Sequence, residues 1–232
     1  MTDQPLFAHR HSHSAASPGA ESTVSPARIV ARDVRRNLPT WEELVPAGTP
    51  VELEVGSGKG LFLQQAAGAN PHHFYLGLEL AAKFANRAAQ RLHRHGLSNA
   101  LVLCADARVF LNQVVPSASV HAVHVYFPDP WWRNKHKKRR VLNEESIQHI
   151  WRVLLPGGNF HFWTDVLDYY EHVCQMVIDQ TAFAGPHFVP QRHALHSMDY
   201  TTHFERRARQ QNQPVYRALF VKPAGEETTD GA

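Results

Sequence analysis

The feature that most constrains how this chain folds lies at residues 51–67. Val51-Glu52-Leu53-Glu54-Val55 is a short apolar run with a β-branched residue at each end, and Gly56-Ser57-Gly58-Lys59-Gly60 follows it directly. Leu61 to Ala67 then has helical character, so the segment reads as strand, glycine turn and helix. The alternation continues. Strand-like segments at Phe74 to Leu80, Ala100 to Cys104, His121 to Phe127 and Asn159 to Thr164 are separated by helical ones at Ala81 to His95, Val109 to Val115 and Glu144 to Leu155. A helix over Asp168 to Gln180 and a last strand over Val215 to Val221 complete the pattern, with an irregular stretch between them. Strands alternating with helices indicate an α/β fold, a mostly parallel sheet with helices on both faces.

Residues 27–222 are expected to form one domain, flanked by disordered tails at 1–26, rich in His, Ser, Ala and Pro, and at 223–232, small and acidic. No stretch is long and apolar enough to span a bilayer, and no secretory segment opens the chain, so a cytoplasmic protein without membrane contact is expected. Cys104 and Cys174 fall in a strand-like and a helical segment and read as core thiols, not as a disulfide framework or a structural metal site. His9, His11 and His13 are assigned no function. The net charge is only +3, but Arg133, Lys135, Lys137, Lys138, Arg139 and Arg140 fall within eight positions without an acid among them. Such a run suits a polyanionic partner or, taken alone, a solvated face. Arg28 to Arg36 reads as a solvated helix face in preference to an RNA contact.

In a parallel sheet, ligands bind at the carboxyl ends of the strands. Glu54 ends the first strand, and Gly56, Gly58 and Gly60 let the backbone turn tightly and a ligand approach closely. The spacing G-x-G-x-G differs from the dinucleotide fingerprint G-x-G-x-x-G and lacks the Lys-Ser or Lys-Thr ending of a P-loop. Glu79 ends the second strand, roughly twenty residues past the turn, where a carboxylate can hold both hydroxyls of a ribose. Asp106 follows the third strand, beside an adenine ring or as a helix cap. Acids at three strand ends would repel a pyrophosphate and favour the sulfonium and amino groups of S-adenosylmethionine.

After the fourth strand comes Phe127-Pro128-Asp129-Pro130-Trp131-Trp132-Arg133, leading into the basic run. Two prolines fix the backbone around Asp129, the tryptophans suit stacking on a base or packing in the core, and the cations suit phosphates. These residues resemble the bacterial tRNA (guanine-N7)-methyltransferases. That family joins E-x-G-x-G-x-G, F-P-D-P-W with a basic tail ending K-R-R, a T-D pair and T-x-F-E. Here they stand as Glu54 to Gly60, Phe127 to Arg140, Thr164-Asp165 and Thr202-His203-Phe204-Glu205.

The resemblance implies a doubly wound, Rossmann-like class I methyltransferase fold with a seven-stranded sheet. It implies an enzyme that methylates N7 of a variable-loop guanine, position 46, in tRNA, with S-adenosylmethionine as cofactor. It assigns the cofactor to Glu54, Gly56, Gly58, Glu79, Asp106 and Asp129, places Asp129 nearest the chemistry, and assigns the tRNA to Arg133, Asp165, Thr202, His203, Phe204 and Glu205. Glu205 or Asp165 is expected to accept hydrogen bonds from guanine N1 and N2. Two departures stand out: Arg133 replaces a common lysine, and the glycine usual after T-x-F-E is missing from Arg206 to Asn212. Rival readings are a methyltransferase acting on another RNA or on a small molecule, the latter disfavoured by the basic run, and a non-catalytic RNA-binding protein, against which the intact acids and glycines argue. The sequence names no protein partner.

Overall fold

The computed structural model describes residues 30–130, 140–191, 193–194 and 200–224. The expected tails and the segment 131–139, with Trp131, Trp132, Arg133 and most of the basic run, lie mainly or wholly outside the described residues. In chain order the elements are β1 (Arg32–Asp33), β2 (Val51–Val55), α1 (Leu61–Ala69), β3 (Phe74–Glu79), α2 (Ala82–Arg94), β4 (Ala100–Cys104), α3 (Ala107–Gln113), β5 (Val120–Tyr126), α4 (Glu144–Val153), β6 (Leu154–Thr164), α5 (Leu167–Gln180), β7 (Ala184–Phe188), α6 (His203–Gln210) and β8 (Tyr216–Val221).

One sheet contains all the strands, in the order β1-β4-β3-β2-β5-β6-β8-β7. Strands β1 to β6 run parallel where they pair, and β8 is antiparallel to both neighbours, β6 and β7. Alternation along the strands sorts side chains between two cores. Val51, Leu53 and Val55 face a large apolar cluster with Phe110 of α3, Ile147 of α4 and Val173 of α5. On the opposite face, Leu63 and Ala67 of α1 and Ala85, Ala88 and Leu92 of α2 pack over Tyr75 and Val102. That face also carries a polar row in its centre. Glu52 Oε1 lies 2.7 Å from His73 Nδ1 and Oε2 2.7 Å from His124 Nε2, while His124 stacks on His161 at 4.7 Å. Burial opposes ionisation of Glu52, but His124 and His73 outweigh it and hold the carboxyl down to about 2.

Three expectations are corrected. Among the described residues the sheet has eight strands, not seven, because two residues of the basic N-terminal segment add an edge: Arg32 pairs with Leu103 and Asp33 with Cys104. The described residues of that segment, 30–36, contain a short strand and no helix, and Val34, fully buried, anchors them through its N–H to the Cys104 carbonyl at 3.0 Å. The stretch between α5 and β8 is not irregular throughout, since it contains β7 and α6. Neither shows the apolar periodicity that announces an element: all five residues of β7 are exposed, and only Glu205 and Ala208 of α6 are buried. Cys104 and Cys174 are free and buried, as expected. No helix of the described residues is long and apolar enough to cross a membrane, and no group of three metal-ligating side chains occurs among them.

Candidate functional site

The carboxyl ends of β2, β3, β4, β5 and β6 converge on one edge of the sheet, and the sequence-predicted acids cluster there. The glycine turn is stapled to β3, since Gly56 N–H donates to the Leu78 carbonyl at 2.8 Å. Gly60 ends the turn at φ +70°, and a Cβ there would stand 2.8 Å from Ala88 Cβ, so only glycine lets α1 start this close to α2. Glu79 ties the turn to the next crossover: Oε2 accepts from Gly58 N–H at 2.9 Å and Oε1 from Ala81 N–H at 2.8 Å. A carboxylate held by one backbone bond on each oxygen keeps further acceptor sites for a ligand.

Glu54 is 3% exposed, and its Oε2 has no hydrogen-bond partner. Burial pushes its carboxyl up to about 8, against a hydrogen bond from Ser57, and the negative Glu79 nearby adds to the rise. An orphaned buried carboxyl beside a second one calls for a cation. Asp106 takes the helix-cap alternative. Its Oδ1 accepts from Arg108 N–H at 3.0 Å at the start of α3, and Oδ2 pairs with the Arg108 guanidinium at 3.1 Å. Burial raises its carboxyl, but Arg108 outweighs this and holds it below the usual range. Its charge is thus offset within the chain.

At the end of β5 the backbone kinks. Phe127 has φ +51° and donates its N–H to the Trp163 carbonyl at 2.8 Å. Beyond the kink Asp129 is exposed, close enough to raise the pKa of Glu79, so it stands at the same edge. Arg140, the last residue of the basic run, donates from Nε to the Pro130 carbonyl at 2.7 Å and lies 5.2 Å above the Tyr169 ring. It therefore clasps the two ends of the 131–139 segment. Asp165 is exposed just after β6.

The T-x-F-E residues divide into support and surface. Thr202 Oγ1 caps α6 by accepting from Glu205 N–H at 3.0 Å. Glu205 is 3% exposed, and its carboxylate is committed internally: Oε2 accepts from Thr201 N–H at 2.7 Å, and Oε1 from Arg217 of β8 at 2.9 Å and Arg209 at 3.4 Å. Phe204, 51% exposed, stacks parallel to Phe127 at 6.0 Å, which brings T-x-F-E against F-P-D-P. No glycine stands at the end of α6, and Asn212 takes the left-handed position there. It adopts φ +54°, and the bonds Gln213 N–H to Ala208 O (2.8 Å) and Asn212 N–H to Arg209 O (3.1 Å) close α6 as a Schellman turn.

A family model described as "Putative methyltransferase" matches residues 48–218. A tRNA (guanine-N(7)-)-methyltransferase of Anaeromyxobacter dehalogenans is 37% identical, covering 82% of this chain and 94% of its own. The chain belongs to this methyltransferase family. A family protein of the same name from Rhodopirellula baltica is 44% identical over 75% of the chain, and one from Cronobacter sakazakii 38% identical over 55%. The chain spans 66% and 54% of the length of these two relatives. A solved S-adenosylmethionine-dependent O-methyltransferase of Thermotoga maritima shares the fold, with TM-score 0.51 and 16% identity over 77% of this chain and 61% of that one.

The residues present fit the methyl donor of this methyltransferase class. Glu54 offers an unsatisfied carboxyl that a sulfonium or ammonium would draw to its ionised form, Glu79 has free acceptor sites for a ribose, and Gly56 and Gly58 leave open backbone between them. The sequence reading missed two arginines that support these groups, Arg108 and Arg217, and placed Arg140 in the basic run without its contacts to Pro130 and Tyr169. A signal existed for Arg108, two residues after Asp106 at a helix start, but none for Arg217, whose pairing with Glu205 is tertiary.

Proposed function

We propose that this protein transfers the methyl group of S-adenosylmethionine to N7 of a guanine in tRNA, in the variable loop. Family membership supports the reaction, and the observation that carries the donor site is the buried Glu54 Oε2 without a partner, beside Glu79. When bound, the cofactor supplies a methyl group on a sulfonium, open to in-line attack. Glu54, Glu79, Gly56 and Gly58 hold it, with Asp106 at the rim of its site. Guanine N7 carries an in-plane lone pair and no proton, so no side chain has to generate the nucleophile, and alignment and electrostatics supply the rate. Asp129 steers the base or the cofactor's ammonium, a role supported by its nearness to Glu79.

Asp165, exposed at the end of β6, is the acceptor for guanine N1–H and N2–H, a donor pair that adenine lacks. Glu205 serves recognition indirectly by fixing α6, which carries His203 and Phe204 toward the substrate. Arg133 and the basic run hold phosphates.

Incubation with S-adenosylmethionine and unmodified tRNA, followed by reduction and aniline cleavage, is expected to cut the tRNA at one variable-loop guanine, position 46. Absence of that cut, with cofactor bound, overturns the substrate assignment. Asp165→Asn is expected to lower kcat/KM about 10- to 100-fold, as for loss of hydrogen bonds to a charged acceptor, with an unchanged melting temperature.

A further inference from the structure

The glycine turn, α2 and α6 meet in a second charged cluster, distinct from the acids. On α6, His203, Arg206 and Arg207 stand at i, i+3 and i+4 and share one face, opposite the buried Glu205 and Ala208. Arg91 reaches them from α2: Nη1 donates to Gln64 Oε1 on α1 at 2.8 Å, and Nη2 lies 3.4 Å from His203 Nε2. Burial, then Arg91, Arg206, Lys59 and Arg207, push the His203 imidazole down to about 4. It is therefore neutral near pH 7, and its Nε2 is free to accept from Arg91. Burial beside Arg94 and Arg206 likewise draws the Arg91 guanidinium below its ordinary value.

No carboxylate pairs with Lys59, Arg91, Arg206 or Arg207 among the described residues. The one acid of α6, Glu205, is turned inward to Arg209 and Arg217. Like charges drawn together from three elements repel one another, and an anion seated among them reverses the sign of that interaction. Beside the cluster lies the Phe127–Phe204 pair, with the Arg207 guanidinium 5.4 Å from the Phe204 ring. A half-exposed aromatic ring beside arginines that no carboxylate neutralises matches a nucleotide, with the base against the ring and the phosphate on the guanidinium forks.

We propose that Lys59, Arg91, His203 and Arg206 form a subsite for a backbone phosphodiester of the RNA, adjoining the nucleotide that stacks on Phe204. This rests on the reading that RNA is the substrate. A carboxylate, such as that of the methyl donor, would meet the same cations, so the test separates the two.

With full-length protein, tRNA affinity is measured at several salt concentrations, and S-adenosylmethionine affinity by calorimetry, for wild type, Arg206→Gln and Arg91→Gln. Arg206 lies on a partly exposed helix face, so Arg206→Gln retains the fold even if Arg91→Gln, which loses a contact to α1, does not. Arg206→Gln is expected to weaken tRNA binding about tenfold, to reduce the slope of log affinity against log salt by about one, and to leave cofactor affinity unchanged. Arg206→Lys is expected to restore most of the slope. An unchanged tRNA affinity and slope in Arg206→Gln overturns the subsite, and so does a matching loss of cofactor affinity, which would assign the cations to the donor's carboxylate. If wild type binds cofactor but neither binds nor methylates tRNA, the substrate reading fails and the subsite falls with it.

Discussion

At the scale of single residues, the strongest physical signal is Glu54, whose position was legible in the sequence while its ionisation state was not. Its pKa stands at about 8 against an ordinary 4.5, so the folded chain binds this proton more tightly than the unfolded one. The stability it contributes is complete below about pH 4.5 and is lost as pH climbs through about 8. Denaturation of the cofactor-free protein is therefore expected to show stability falling over that window, with a shallower fall in Glu54→Gln. Binding of a cationic donor draws the carboxyl to its ionised form. Calorimetry in buffers of different ionisation enthalpy is expected to show proton release in wild type and none in Glu54→Gln. Asp106 teaches the opposite lesson. Its place after a strand left a ligand contact and a helix cap open, and only the Arg108 side chain, folded back onto it, shows that its charge is shared.

Among the elements, those with an apolar stripe or a continuous apolar run were legible to within a few residues, because burial imposes a period on the sequence. Helix α2, for example, buries Ala85, Ala88 and Leu92. Helix α6 imposed none, because it is held by one ion network in place of an apolar face. Removing Glu205 leaves Arg217, 6% exposed, without its counter-charge. Glu205→Ala is expected to cost about 3–5 kcal/mol in urea denaturation, and to lose activity through a displaced α6 and not through guanine choice. The residual enzyme would still prefer guanine over adenine. At the other end of the site, Gly60→Ala combines a left-handed backbone with the approach to Ala88. A loss of roughly 1–3 kcal/mol is expected in the same assay.

Over the whole molecule, the glycine turn, Glu79, Asp106 and Asp129 come from successive crossovers of one sheet, so a ligand seated there touches every part of its first half. Saturating cofactor, at about 100 times Kd, is expected to stabilise the fold by about 2.7 kcal/mol and to raise the melting temperature by roughly 5–10 °C, still in one transition. The parallel half of the sheet was legible because each crossover repeats the same pattern. The order of the last strands was not, since β8 slots between β6 and β7 by long-range pairing alone. That insertion also sets a timetable for synthesis. On the ribosome, β6 waits without its outer neighbour until residues 216–221 emerge, and the same late segment delivers Arg217 to Glu205. The side of the molecule that carries α6 thus becomes rigid only after Glu54, Glu79, Asp106 and Asp129 have all been made.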